Sequence, residues 1–506
     1  MAEIPLFARA KILNIRAICL SLLLCGVPAS PAQEPLSLEE CIDLALRHNL
    51  QHLHSHLKLR DAQARLQQAL APFEIRADAD FRLPSFNESR DTQESVALLT
   101  RFREETTNFT YAGNLRVSQR VPHIGLLTFT SSAFRQDFSS NVRTDFLEYF
   151  GAANFGFIHE IFTRPQEEIA LERARLDLDQ AEIDFAGLEM LLEHQVAAAY
   201  YDLVRNIRKL EIEELQLNQS RSSLELARRK FEIGLVAEVQ PLRLEVAALQ
   251  AEASLAQAQT AIELSRDVLR QILGMEFHQP LEVVTEVDSR KYPISQARAL
   301  EIGLKQRTDL KQAAIMAEIS KLGLHGAERL NGATARLVGN LSMSGRGPEI
   351  GAISTDLERN LWSVGIEVNL PLIDNGLLRG KLHQARVAVR QSQLARDQVR
   401  QNVIREIREA VLNLKEAERQ IDLTQAALTV AERAYQVEQS RFELGLIQSQ
   451  DLLTAQANLT GSRVSTLDAL VSYQLHLQKL RLVTMADLSQ MLGMEETGNP
   501  GRSNLR

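Results

Sequence analysis

A chain of 506 residues that is 45% hydrophobic, 24% charged and only 5% aromatic, and rich in Gln, Ala, Leu, Glu and Arg, has the texture of long helices rather than of several compact domains. Its formal charge of −8 is mild for that length and its Lys and Arg are dispersed, so no basic stripe points to nucleic acid. The sequence contains no P-loop, GxSxG, HExxH or paired-cysteine metal motif, so it predicts no enzyme and no cofactor.

Residues 1–32 place Arg9, Lys11 and Arg16 ahead of the apolar run AICLSLLLCGVPA, and Ser30 and Ala32 fit a small-x-small cleavage site. This reads as a signal peptide removed on export. Cys19 and Cys25 go with it, which leaves Cys41 alone and excludes an intrachain disulfide. Cys25 in LLLCG resembles a lipoprotein site, with Leu24 where a small residue belongs.

A short helix is expected over 37–70. It contains RHNLQHLHSHLK, where His48, His52 and His56 recur every four residues and could face one transition metal. No Cys or carboxylate completes a tetrahedral set, so the stretch reads first as a wet helical surface and no metal is assigned.

Residues 73–162 form a strand region that holds more than half of the aromatic residues. A second, at 333–373, alternates Trp362, Val364, Ile366 and Val368 with Ser363, Gly365 and Glu367. Such alternation suits a strand between lipid and water, and equally a soluble sheet packed on one face. Beyond the first 32 residues no apolar run approaches a spanning helix, so a membrane crossing would need a closed β-barrel.

Long helical hairpins are predicted at 165–275 and 376–494, the second after a linker at 276–294 and a short helix at 295–329. In the second hairpin Val403, Ile407, Ala410, Leu414, Ala417, Ile421, Thr424, Leu428 and Ala431 follow alternating steps of four and three. Leu171, Ala174, Leu178, Ala181, Phe185, Leu188 and Leu192 do so in the first, and both stripes are coiled-coil seams. The phrase KFEIGLVAEVQPLRLE from Lys230 returns 211 residues later as RFELGLIQSQDLLTAQ from Arg441. LALRHNLQ from Leu44 returns more weakly as IGLKQRTD from Ile302, at an offset of 258. The chain is therefore a duplication, with a first structural repeat at 33–275, a second at 295–494 and a C-terminal tail at 495–506. Gly234 and Gly445 stand where each seam turns back.

These phrases, with the strand-to-helix phrase LPLIDNGLLRGKLHQAR from Leu370, make the chain resemble the TolC family of bacterial outer-membrane channel proteins over nearly its whole mature length. The resemblance implies a mainly α fold with a membrane β-barrel. Each repeat would supply a short helix, two strands and two very long helices to a homotrimeric tunnel of α-barrel and β-barrel. It implies residence in outer-membrane lipid and reach into the periplasm. It also implies a periplasmic adaptor that docks on hairpin tips at Gly234, Leu235, Gly445 and Leu446, and an inner-membrane pump behind the adaptor. The family's acidic constriction falls on Asp451, matched in the first repeat by Gln240, while Ile447 stands where TolC carries an arginine. The first strand-to-helix phrase, HEIFTRP from His159, departs from the family pattern, and VSQRVPHIGLLTFT resembles an added strand pair. The expected function is a passive exit duct for efflux or type I secretion. The rival reading is an exported soluble coiled-coil scaffold.

Overall fold

The computed structural model of the chain describes residues 35–95, 100–161, 165–330, 334–355 and 357–492, so the expected signal peptide and C-terminal tail lie outside the described residues. In chain order the elements are α1 (Leu38–His48), α2 (Leu50–Leu70), β1 (Arg76–Ser95), β2 (Thr100–Val121), β3 (Gly125–Ser140), β4 (Phe146–Glu160), α3 (Gln166–Glu232), α4 (Val239–Leu273), α5 (Gln296–Gln306), α6 (Thr308–Leu330), β5 (Thr334–Gly347), α7 (Ala352–Thr355), β6 (Glu358–Asn369), α8 (Leu377–Glu443), α9 (Ser449–Thr484) and α10 (Leu488–Leu492).

The duplication is written in the helices. Both α3 and α8 have 67 residues, and each end of α8 lies 211 residues after the same end of α3. At 1.5 Å per residue each is about 100 Å long. On α8 the residues Val403, Ile407, Ala410, Leu414, Ala417, Ile421 and Thr424 are buried, so the seam faces its partner helices. Two clusters of matching construction form the main cores. One packs Cys41 and Ala45 of α1 against Leu192, Val196 and Leu203 of α3 and Leu269 of α4. The other packs Ala299 and Ile302 of α5 against Ile407 and Leu414 of α8 and Leu477 and Leu480 of α9. Burial pushes the Cys41 thiol up to about 12, which leaves it an inert packing group.

One expectation needs correction. The short helix at 37–70 is two helices: Asn49 takes an extended backbone (φ −65°, ψ 129°) and its Oδ1 accepts the N–H groups of Gln51 and His52 at 2.8 and 3.2 Å. An Asn side chain that captures the next N–H groups stops one helix and caps the other. Arg307, 258 residues later, divides α5 from α6 in the same way (φ −54°, ψ 123°) and donates from Nη1 to the Val483 carbonyl at 3.0 Å. The linker at 276–294 joins α4 to α5 and packs closely on its neighbours. Leu36 forms a parallel bridge with Val283, Leu281 and Val283 are buried, and the Val284 and Thr285 carbonyls accept from Tyr200 and Arg208.

The strands form one antiparallel sheet in the order β1-β2-β3-β4-β5-β6. The first repeat supplies four strands, two more than the second, and the added hairpin turns at Pro122–Ile124, within the phrase that resembles an added strand pair. Register pairs Ala77, Val117, Phe129, Phe155, Leu341 and Trp362 in one row across all six strands. The adjacent row is Arg76, Ser118, Thr128, Gly156, Asn340 and Ser363, on the other face. Along these two rows one face is apolar and the other polar from edge to edge, while farther along β3 and β4 the second face also carries the stacked pairs Phe134–Phe150 and Phe138–Phe146. On the apolar face Phe129 stacks near Phe155 at 4.8 Å, and farther along β3 the Arg135 guanidinium lies 5.6 and 5.9 Å from the Tyr111 and Tyr149 rings.

Candidate functional site

The tips of the two long hairpins carry most of the residues singled out from sequence. At the end of α3 the Leu235 N–H bonds the Lys230 carbonyl at 2.8 Å and the Gly234 N–H bonds Phe231 at 2.9 Å. At the end of α8 the Leu446 N–H bonds Arg441 at 2.9 Å and the Gly445 N–H bonds Phe442 at 3.0 Å. Both are Schellman caps, which require a left-handed residue, and Gly234 (φ 76°) and Gly445 (φ 77°) supply it. An apolar residue just after the helix normally folds back onto it in this motif. Here Ile233, Leu235, Leu444 and Leu446 are instead 67–75% exposed, so two matching apolar prongs face outward.

Asp451 and Gln240 meet around one helix terminus. Asp451 Oδ2 accepts the Gln448 N–H at 3.4 Å, and Gln240 Oε1 accepts the Ser449 N–H at 2.8 Å. Both therefore occupy the positive end of α9, where acceptors are favoured. Gln240 reaches it from the other hairpin and ties the two tips together.

Sequence reasoning missed the second tie. Lys230, near the end of α3, is buried, donates from Nζ to the Phe442 carbonyl and lies 4.7 Å from the Phe442 ring centre. Burial pushes its ammonium below the usual lysine range, against the pull of Glu443. Arg441 holds the same repeat position in the second hairpin, yet it is half exposed and pairs with Glu438 on its own helix. The only signal in sequence was the place of Lys230 beside the tip, since nothing there tells a buried cation from a solvated one. Higher up, Gln456 Nε2 donates to Ser223 at 3.0 Å and Thr460 donates to Gln216, so polar bonds link α9 to α3 along the seam between the hairpins.

The three histidines do not share a face. His48 ends α1, and the Asn49 break separates it from α2, where His52 lies 3.4 Å from Glu189 Oε1 and 5.1 Å from the Phe185 ring. His56 also packs against Phe185, at 6.2 Å. Among the described residues no group of His, Cys, Asp or Glu has the geometry to hold a metal ion. No described helix is long and apolar enough to cross a membrane.

Residues 341–484 match the family described as Outer membrane efflux protein. The chain is 24% identical over 343 residues to Nodulation protein T of Rhizobium leguminosarum bv. trifolii, covering 65% of this chain and 69% of that protein. It is 20% identical over 337 residues to Outer membrane protein TolC of Vibrio cholerae, covering 65% and 75%. Its fold is shared with the crystal structure of the outer membrane protein VceC from Vibrio cholerae, with a TM-score of 0.67 at 18% identity over 89% of this chain and 96% of that one. With its duplicated hairpins, two-faced sheet and matching caps, the chain shares the fold of the TolC-like outer membrane channels, and its residues 341–484 match the outer membrane efflux protein family.

Proposed function

We propose that this protein is the outer-membrane exit duct of a tripartite efflux or type I secretion system. A signal peptide would direct it across the inner membrane, and two structural repeats would build the mature chain. Three copies would surround one passage, with the sheets in outer-membrane lipid and the hairpins in the periplasm. The observation that carries this reading is the apolar row that crosses all six strands of a sheet joined directly to helices of 67 residues. From Leu127 to Arg135 on β3 that face runs about 27 Å at about 3.4 Å per residue, close to the apolar band of a membrane barrel. The Arg135, Tyr111 and Tyr149 group would then sit at the headgroup level, where aromatic residues gather.

The prongs around Gly234, Leu235, Gly445 and Leu446 would take the apolar tips of a periplasmic adaptor that connects the duct to an inner-membrane pump. Asp451 would repeat three times around the narrow end and favour cations by its charge, as charged rings do in channels. Transport would be passive in the duct, with the energy supplied by the pump.

Two measurements test this. Separation of outer from inner membranes, followed by light-scattering mass in mild detergent, should give a trimer in the outer-membrane fraction; a soluble monomer or dimer would leave the coiled-coil scaffold as the better account. In single-channel recordings at low salt, Asp451→Asn should lower the cation-to-anion permeability ratio, because Asn keeps an acceptor for the Gln448 N–H and removes only the charge. An unchanged ratio would take Asp451 out of the constriction.

A further inference from the structure

We infer that each copy contributes six strands to the membrane wall, and that β1 of one copy pairs with β6 of the next to close a barrel of eighteen. This rests on the trimeric exit-duct reading and goes beyond it, because that reading leaves the wall's strand number open.

The order of attachment shows where the sheet has grown. Helix α2 leads into β1, β4 leads into α3, α6 leads into β5, and β6 leads into α8. The four helices pack side by side in the order α2, α3, α6, α8, which is the order of their strands. Only β2 and β3 have no helix of their own. They are an insertion between the strand above α2 and the strand above α3, and their turn closes at the helical end of the sheet.

That turn is fastened on both sides. Gln119 Nε2 donates to the Phe73 carbonyl at 3.2 Å, just after α2. Arg120, whose side chain is only 6% exposed, bridges Glu160 at the end of β4 and Glu167 in α3 at 3.2 and 3.3 Å. His159 Nδ1 lies 2.8 Å from the Ile124 carbonyl. An inserted hairpin held to both neighbours belongs to the wall and is not a flap beside it. The side chains agree: Ala77, Val117 and Phe129 continue the apolar row to the β1 edge, and Arg76, Ser118 and Thr128 continue the polar one.

Closure follows from the medium. Unpaired N–H and C=O groups on the β1 and β6 edges would be left without partners in hydrocarbon, so a spanning sheet has to close. Six strands are fewer than the eight of the smallest membrane barrels, so one copy cannot close on itself. The widths also match. At about 4.8 Å spacing and about 40° tilt, six strands cover about 38 Å of circumference, whereas four strands cover about 25 Å. Four packed helices at about 8–10 Å cover about 32–40 Å, so six strands span the arc of the helices beneath them. Eighteen strands give a barrel radius of about 18 Å, against about 12 Å for twelve.

Electron cryomicroscopy of the full-length protein in lipid nanodiscs tests this directly. Eighteen strands in the wall, with β1 of each copy beside β6 of the next, are expected. A trimer with a wall of twelve strands and one hairpin of each copy outside it would overturn the inference and leave the exit duct standing. Particles with no closed barrel would sink both.

Discussion

Gly274→Ala should damage the protein far more than the same change at either tip, although the three glycines share one backbone conformation. Gly274 ends α4 at φ 71°, and Gly234 and Gly445 end α3 and α8 at φ 76° and 77°. A left-handed alanine costs about 1 kcal/mol at each. The surroundings then separate them. A Cβ on Gly274 would lie 2.5 Å from the His48 carbonyl oxygen and 2.8 Å from its carbon, whereas nothing lies within 4 Å at Gly234 or Gly445. The obstacle is backbone at the end of α1, so it cannot swing aside as a side chain would. Overpacking of this kind adds about 1–3 kcal/mol, giving about 2–4 kcal/mol in all. At about 1.4 kcal/mol per tenfold, the difference of about 2 kcal/mol corresponds to about a 30-fold larger population of the opened state. Hydrogen exchange read by mass spectrometry on the full-length protein should show it as faster exchange at 38–49 and 268–276 in Gly274→Ala. The tip variants should show smaller changes confined to the tips. If Gly274→Ala exchanges no faster than Gly234→Ala, the end of α1 does not rest on the end of α4.

Lys230→Met keeps the stem beneath Phe442 and removes a charge that burial disfavours, so the tip should stay within about 1 kcal/mol of its parent. Lys230→Ala loses that stem and should weaken the tip by about 1–2 kcal/mol, read as exchange at 228–236 and 440–448. Asn49→Ala removes the cap of α2 and the bond from Nδ2 to the Ile272 carbonyl at 2.8 Å, at a cost of about 2–3 kcal/mol that denaturant unfolding should report. Asp374 accepts the Gly376 and Leu378 N–H groups, which hold its carboxyl below the usual range. Because its folded value is depressed, its support for the start of α8 is present above the ordinary carboxylate value, about pH 4, and is lost as pH falls through the lower folded value. Asp374→Asn should abolish the acid-dependent part of exchange at 376–382; the same acid response in both proteins would rule the carboxylate out.

Periodicity made the long helices legible because a seam of four and three persists for many turns, and duplication placed both tips. The breaks at Asn49 and Arg307 were harder to read. Asn49 is a favourable cap, but it lies in a histidine-rich stretch whose four-residue spacing continues across it as if the helix did. Arg307 carries no breaking signal of its own, and its geometry is held by the distant partners Val483 and Glu406. The extra strand pair was visible as a resemblance around Pro122, although its place in the sheet depends on register and on Arg120, whose two carboxylate partners lie 40 and 47 residues away in sequence. At the tip, alignment of the repeats equated Lys230 with Arg441 and Phe231 with Phe442. Tertiary packing broke both equivalences: Phe442 is buried and Phe231 is 42% exposed. A duplicated sequence predicts a duplicated backbone, but which copy faces inward is decided by contacts between the copies.

The kinds of contact along the chain also bear on how the narrow end of the proposed duct could open. Around α1 and α5 the hairpins are held by buried Leu, Ile, Val and Tyr, and separating those surfaces would expose apolar area at about 25 cal/mol per Å². Toward the tips a smaller apolar cluster, with Ala227 and Leu244 against Phe442, Leu452 and Leu459, is interleaved with polar ties from Ser223 to Gln456, Gln216 to Thr460, Gln240 to Ser449 and Lys230 to Phe442. Water can replace such bonds at a net cost of about 0.5–1.5 kcal/mol each. If the narrow end of the proposed duct opens, the tip, with a smaller apolar cluster and more replaceable polar bonds than the middle, is the end that parts more easily. Pairing apolar residues at Ser223 and Gln456 should leave the fold intact and hold the tips shut, seen as fewer openings in single-channel recordings with the adaptor present. Unchanged opening would place the moving seam elsewhere, between neighbouring copies and not within one.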